Sequence, residues 1–263
     1  DHIWRPLGMQ RTTITLTPEQ REHLAVGYEI RNGVATAQSY EWFHTTPASS
    51  INATAADMAR FMLAHLNGGR LGDTRILEAA TVRTMQAPHG RGHPDVPGVA
   101  YGFFESEHAG ERILEHGGVM AGTSSSMVLL PDRRAGFFVA NHVEQSGLRD
   151  AIRNAILDRF YSRRQDPPVV SKSEDFGPLA RFAGRYRWNV YCHSCGTAPP
   201  TQGPTVEARA DGTIDFAGQR WVQIAPLVFR RDDGKRVLAF RADSDGAISH
   251  LFIEGPLTFE RIR

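Results

Sequence analysis

Lysine is almost missing from this chain. Among 30 basic residues in a sequence of 263, only Lys172 and Lys235 are lysine. Chemistry that needs a lysine amine beside a nucleophile would have to use one of those two. Val169 stands three residues before Lys172, and Asp232 three before Lys235, so the chain holds no Ser-x-x-Lys turn. No tyrosine is followed two residues later by asparagine. Cysteine is equally scarce. Cys192 and Cys195 cannot make a disulfide framework, and one close pair fits either redox compartment. With His193 they offer at most three zinc ligands, and no βαβ pattern flanks them, so a local disulfide or two free thiols is the preferred reading. No apolar run approaches the roughly 18 residues of a membrane span. Neither sign of charge dominates: the formal net charge is +1, which argues for neither nucleic acid nor an anionic membrane as partner. The chain opens at Asp1 with no signal peptide and no methionine, so an upstream segment removed or omitted is an expectation.

What is present is ordinary for a globular protein, with 41% hydrophobic and 22% charged residues. The length suffices for one large domain or two smaller ones with a real core. Ile3, Trp4 and Leu7 read as the end of a helix stopped at Pro6-Leu7-Gly8-Met9. Residues 28–43 read as loop with short strands. The clearest helix covers 52–67, with Thr54 and Asp57 as a capping-box-like start and Asn67-Gly68-Gly69 as its glycine stop. Met58, Phe61, Met62 and Leu66 fall on one face of it. A shorter helix is expected over 78–86, and a loop over 87–99. Strands are expected at 101–104, 112–116, 124–130 and 136–141, in a sheet covered on both faces. A helix over 148–160 should pack on that sheet. Residues 163–177 carry Pro167-Pro168 and read as a linker. Beyond it, turn signals at Asp211-Gly212, Asp233-Gly234, Asp245-Gly246 and Gly255-Pro256 separate short β-type runs. That pattern suits a small antiparallel meander or barrel.

The stretch with chemical promise is Ile113-Leu114-Glu115-His116-Gly117-Gly118 and its continuation to Pro131. It reads as a β-hairpin whose backbone is bare at the glycines, where a ligand or another backbone can come close. His116 alone would pass for an ordinary strand-end histidine. Ser124-Ser125-Ser126 is no nucleophile elbow, because glycine does not follow at the right place. Asn141 reads as structural. A metal site built on His116, His142 and the cysteines lacks any ligand spacing in its favour.

Several motifs line up in order: Pro6-Leu7-Gly8-Met9, Gly27-Tyr28, Pro47-Ala48, Thr54 to Phe61, Tyr101-Gly102, His116-Gly117-Gly118, Gly122, Pro131 and Asn141. This series resembles the serine β-lactamase and penicillin-binding-protein-like superfamily, on the branch of class C β-lactamases, D-aminopeptidases and related esterases. The similarity spans residues 1–160, and the tail resembles the β-barrel appended to many members. The resemblance implies an α+β fold: the C-terminal portion of a β-lactamase/transpeptidase-like domain, an antiparallel sheet flanked by helices over 1–162, then a linker, then a small antiparallel β domain over 178–263.

The family's chemistry needs a Ser-x-x-Lys turn, a Tyr-x-Asn or Ser-x-Asn loop, and a strand bearing Lys-Thr-Gly or His-x-Gly. Only the third is matched, by His116-Gly117-Gly118. The resemblance implies catalytic roles for His116, in the proton network, and for Val119, whose N–H would complete an oxyanion hole. It makes Gly117 and Gly118 part of the substrate wall. Gly117 stands where β-lactamases place a threonine that helps hold a carboxylate, which favours ester or peptide substrates over β-lactams. The implied activity is acyl-enzyme hydrolysis of small esters, amides or D-amino-acid peptides, without cofactor or metal. Lacking the nucleophile motif, this chain is expected to be inactive alone, with an N-terminal fragment or second chain completing the fold. The alternative is a non-catalytic binding module. The compartment stays open, with export the option the resemblance implies.

Overall fold

The computed structural model describes residues 1–43, 45–46, 48–144, 147–161, 176–189, 198–254 and 257–262. In chain order come α1 (Pro18–Glu22), β1 (Gly27–Arg31), β2 (Val34–Gln38), α2 (Ala55–Leu66), β3 (Arg70–Leu71), β4 (Thr74–Arg75) and α3 (Ala79–Gln86). Then follow β5 (Val99–Ala100), β6 (Phe103–His108), β7 (Glu111–Met120), β8 (Thr123–Leu130), β9 (Ala135–Asn141) and α4 (Leu148–Phe160). The last eight strands are β10 (Gly184–Trp188), β11 (Thr205–Ala208), β12 (Thr213–Phe216), β13 (Gln219–Ala225), β14 (Val228–Arg231), β15 (Val237–Ala242), β16 (Ile248–Ile253) and β17 (Thr258–Arg261). Contacts divide the chain into two compact units, Asp1–Ala87 with Ile113–Tyr161, and Pro88–Arg112 with Ser162–Arg263. Residues 88–112, read from sequence with the first domain, are thus grouped with the C-terminal strands. The expected linker falls, except for 176–177, outside the described residues, as do Cys192 and Cys195.

In the first unit α2 is anchored at its start. Thr54 caps it by accepting from the Asp57 N–H at 3.2 Å. The expected capping box is only half formed, because the Asp57 carboxylate is engaged elsewhere. It accepts from the Arg11 N–H at 2.9 Å and the Thr12 hydroxyl at 2.8 Å. This ties the Pro6-to-Thr12 segment to α2. That segment is a single turn rather than a helix end, closed by Leu7 N–H to Ile3 O at 3.1 Å and Met9 N–H to Trp4 O at 2.8 Å. Leu7, Met9 and Ala64 form a buried cluster, with Trp4 and Phe61 packed against it.

The glycine stop of α2 is a Schellman arrangement, with the Gly69 N–H donating to Ala64 O at 2.8 Å and Gly68 at φ +65°. Gly69 itself has φ +88°, and a Cβ there would sit 2.0 Å from Leu77 O. Gly69→Ala should therefore destabilise the unit by more than about 1 kcal/mol, read as a lowered urea midpoint at unchanged slope.

Strands β7, β8 and β9 are antiparallel neighbours. Ile113 and Leu114 point to opposite faces, yet both are fully buried, as are Val128 and Leu129. The sheet is covered on both sides, as its apolar runs predict. Leu157 of α4 closes one face over Ile113, Val128 and Leu130. On β9, a Cβ at Gly136 would lie 2.9 Å from Met62 Cε of α2. The run expected at 101–104 differs: Tyr101-Gly102 is a turn, with Gly102 at φ +76°, between β5 and β6.

In the second unit β10 to β17 close an eight-stranded antiparallel barrel, sealed by Tyr186↔Arg261 and its neighbours on β10 and β17. Asp211-Gly212, Asp233-Gly234 and Asp245-Gly246 do lie at its turns, with their glycines at positive φ. The interior is packed with aromatics: Phe182, Tyr186, Trp221, Phe229 and Phe240 are each under 2% exposed. β15 is apolar on both faces, since Leu238 and Phe240 face this core while Ala239 joins Val96, Val228 and Phe252 outside it. The alternation therefore looked irregular in the sequence. Glu105 is buried in the same unit. It accepts from Arg112 Nε at 2.7 Å, Arg91 Nη2 at 2.9 Å and the Gly98 N–H at 3.1 Å.

Candidate active site

The C-terminal half of β7 carries every site residue expected from the sequence. Its inner half is buried, but His116, Gly117, Gly118 and Val119 are exposed, Val119 by 49%. The strand runs on through the glycines to Met120, so the bare segment is paired strand rather than a strand end. The register is His116↔Met127, Gly117↔Ser126, Gly118↔Ser125, Val119↔Ser124 and Met120↔Thr123.

That register fixes where the backbone donors point. Only Ala121 and Gly122 separate Met120 from Thr123, so this last pair exchanges both ladder bonds. Hydrogen-bonded and non-hydrogen-bonded pairs then alternate back along the strand. Val119↔Ser124 and Gly117↔Ser126 are non-hydrogen-bonded pairs. The Val119 and Gly117 N–H groups thus point away from β8, toward the other side of β7.

The hairpin tip is held from behind. Gly122 has φ +70°, and a Cβ on it would come within 2.6 Å of Tyr28 N. The Tyr28 N–H donates to His142 O at 2.8 Å and to Gly122 O at 3.1 Å. Asn141 Oδ1 accepts from the Ser124 hydroxyl and the Val143 N–H, both at 3.1 Å, which supports the structural reading of this residue.

Side chains alternate around the strand. His116 and Gly118 share one face. Gly117 and Val119 share the other with Glu115, which pairs bidentately with Arg153 of α4 at 2.7 and 2.9 Å. One turn earlier on α4 stands Arg149. Its Nη1 is 3.4 Å from Ser125 O and 3.5 Å from where a Cβ on Gly117 would be. The guanidinium approaches the strand because residue 117 has no side chain. The sequence reading missed Arg149; the available signal was an arginine in the first turn of a helix that had to pack on this sheet. Arg149 Nε also bonds Asp150 at 2.9 Å.

The chain does hold one Ser-x-Asn, Ser50-Ile51-Asn52, so by spacing the second motif also has a match. Ser50 is 6% exposed, and its Oγ accepts from the Phe43 N–H at 2.8 Å. Asn52 exchanges backbone bonds with Thr13. Both are engaged in holding loops together. Among the described residues no group of three or more His, Cys, Asp or Glu could hold a metal ion. No described helix is long and apolar enough to cross a membrane.

Comparison with known proteins bears on the family and the fold. A protein-family profile described as Beta-lactamase matches residues 1–159. A human protein described as putative beta-lactamase-like 1 is 29% identical over 140 residues, which are 52% of this chain and 27% of the human one. A crystal structure of SurE superposes with a TM-score of 0.56 at 16% identity, covering 100% of this chain and 62% of SurE. The octameric penicillin-binding protein homologue from Pyrococcus abyssi gives 0.50 at 14% identity, over 98% of this chain and 58% of that one. At such identities the likeness is one of fold. The chain spans about a quarter of the human relative and about three fifths of the two solved structures. With the profile covering more than half of the sequence and the His116-Gly117-Gly118 strand inside it, the chain belongs to the beta-lactamase family, within the superfamily of serine β-lactamases and penicillin-binding-protein-like hydrolases.

Proposed function

We propose that this chain provides the substrate-holding wall of a serine hydrolase that works through an acyl-enzyme on small esters, amides or D-amino-acid peptides. The observation that carries this reading is the direction of the Val119 N–H, which the hairpin register turns away from β8 at an exposed strand segment. Such an amide can donate to the oxygen that becomes negative when a serine adds to a carbonyl. His116, on the neighbouring face, takes part in moving the serine proton. Gly117 and Gly118 let the substrate lie against the backbone. Arg149, close to Gly117, receives an anionic end of the substrate in place of the threonine found in β-lactamases.

The nucleophile is not in this sequence, because neither lysine has a serine three residues before it. The chain alone should therefore keep its unmodified mass after incubation with a fluorophosphonate or a penicillin. Stoichiometric acylation of this polypeptide, seen by intact-mass spectrometry, would overturn that reading. A Ser-x-x-Lys and a Tyr-x-Asn encoded ahead of Asp1 would support the hydrolase assignment for the longer protein.

A second reading, a binding module that pairs with another chain, is favoured by one observation. Tyr28, Ile30, Val34, Tyr40, Trp42, Phe43 and Ile51 are all more than a third exposed within a short stretch. Trp4 and Phe61, by contrast, are half-buried against Leu7, Met9 and Ala64, although their neighbours Ile3 and Leu63 are exposed. Sedimentation at several concentrations separates the two: a monomer at every concentration argues against the pairing module.

A further inference from the structure

Residues 88–112 belong to the second unit although they lie in the middle of the chain, so the chain passes between the units three times, after Ala87, Arg112 and Tyr161. A small loop of this segment rests on the outer face of the barrel. The Val99 N–H donates to Gly90 O at 2.8 Å and the Gly90 N–H to Val99 O at 3.3 Å, which closes the loop of residues 91–98 at its neck. Its length and closed neck make it an Ω-loop. Glu105 fixes the neck through the Gly98 N–H and Arg91. The tip is shaped by local polar bonds: the Asp95 N–H to His93 Nδ1 at 3.2 Å, the Val96 N–H to His93 O at 3.1 Å and Arg91 Nη1 to Pro94 O at 3.3 Å.

Those bonds give the loop a shape but no core. Among its described residues Val96 has the only buried side chain, at 2% exposure. The apolar residues packed with it all come from the barrel: Val228, Ala239 and Phe252, with Ala225 and Val237 beside them. The register explains the seat. Val228 of β14 stands opposite Ala239 of β15, and Ala239 opposite Phe252 of β16, so the three form a row across the outer face. The middle residue is the smallest, which leaves a notch between a valine and a phenylalanine, and Val96 fills it. Gly92 lets the loop come against the ring, since a Cβ there would be 2.1 Å from Phe252 Cδ1. The dependence runs one way. Among the described residues, the aromatic core of the barrel takes no member from 88–112.

We propose that residues 91–98 are a latch, held shut by Val96 in the notch of Val228, Ala239 and Phe252, and that this latch opens without unfolding of the barrel. The apolar contact that seats it is one side chain, whereas the barrel has a separate core, so release of the loop costs far less than release of the strands. An open latch exposes the notch and frees the segment that leads from α3 to β5.

The test is amide hydrogen exchange of the full chain, read by mass spectrometry. Val96→Asp, which puts a charge in the notch, should speed exchange of peptides covering 88–100 at least about tenfold, while peptides from β10 to β13 keep the parent rate. Ala239→Leu, which fills the notch from the barrel side with Val96 in place, should have the same local effect. Unchanged exchange over 88–100 in either variant would overturn the seat. Loss of protection from β10 to β13 together with the loop in Val96→Asp would overturn the latch, because the loop would then be part of the barrel's own fold.

Discussion

Glu105→Ala is expected to lower the unfolding free energy of the second unit by about 2–4 kcal/mol. The Glu105 side chain is 3% exposed and accepts three hydrogen bonds, two of them from arginines. Breaking a buried ion pair typically costs about 3–5 kcal/mol, because the partner charge is stranded. Here Arg91 and Arg112 are 40% and 32% exposed, so each can turn to water when the carboxylate is gone, which lowers the cost. The Gly98 N–H, a buried bond to the same carboxylate, is left to find another acceptor.

The effect should depend on pH with a defined sign. Burial alone would raise the Glu105 pKa, but the hydrogen bonds from Arg112 and Gly98, with the charges of Arg112 and Arg91, hold it below the usual carboxylate value. A carboxylate depressed in the folded state stabilises fully above its unfolded pKa, about 4.3, and the contribution fades as pH falls through the lower folded value. Urea midpoints of the parent and of Glu105→Gln should differ at pH 7 and converge below about pH 4. Equal stability at pH 7 would refute the role given to this cluster.

Val119→Pro should reduce acylation by about 10²–10³-fold in a protein where a Ser-x-x-Lys segment accompanies this chain, while leaving the fold intact. Proline removes the N–H and nothing else that an oxyanion would use. It is accepted in strands where the N–H does not serve the ladder, and Val119↔Ser124 is such a pair. Val119→Ala, which keeps the N–H, should acylate at close to the parent rate. The comparison is made by stopped-flow or timed intact-mass measurement with a chromogenic ester. A proline variant that acylates as fast as the alanine variant would remove Val119 from the oxyanion hole.

Much of the fold was legible where the signal was local. Helix α4 has the bounds that its apolar stripe predicts. The Asn67-Gly68-Gly69 stop and three Asp-Gly turns lie where their backbone preferences put them, since a positive φ is set by a residue and its immediate neighbours. The half-formed capping box shows the limit of such reading. Thr54 caps as expected, but the Asp57 carboxylate is drawn to Arg11 and Thr12, more than forty residues earlier in the chain. No window around Asp57 contains that information.

The candidate site divides the same way. The sequence by itself determined that the backbone would be bare at Gly117-Gly118, beside His116 in a β-hairpin, and that neither lysine could serve a Ser-x-x-Lys turn. These are matters of residue type and spacing along the chain. The tertiary structure alone decided that Arg149 would stand against Gly117, that the Val119 N–H would point away from β8, and that β10 would close onto β17. The physical reason is distance along the chain. A helix packed on a sheet, the parity of a ladder counted from its turn, and a barrel seam all join residues whose local preferences say nothing about one another. Only the burial of shared surface and the pairing of backbone donors with acceptors select those partners.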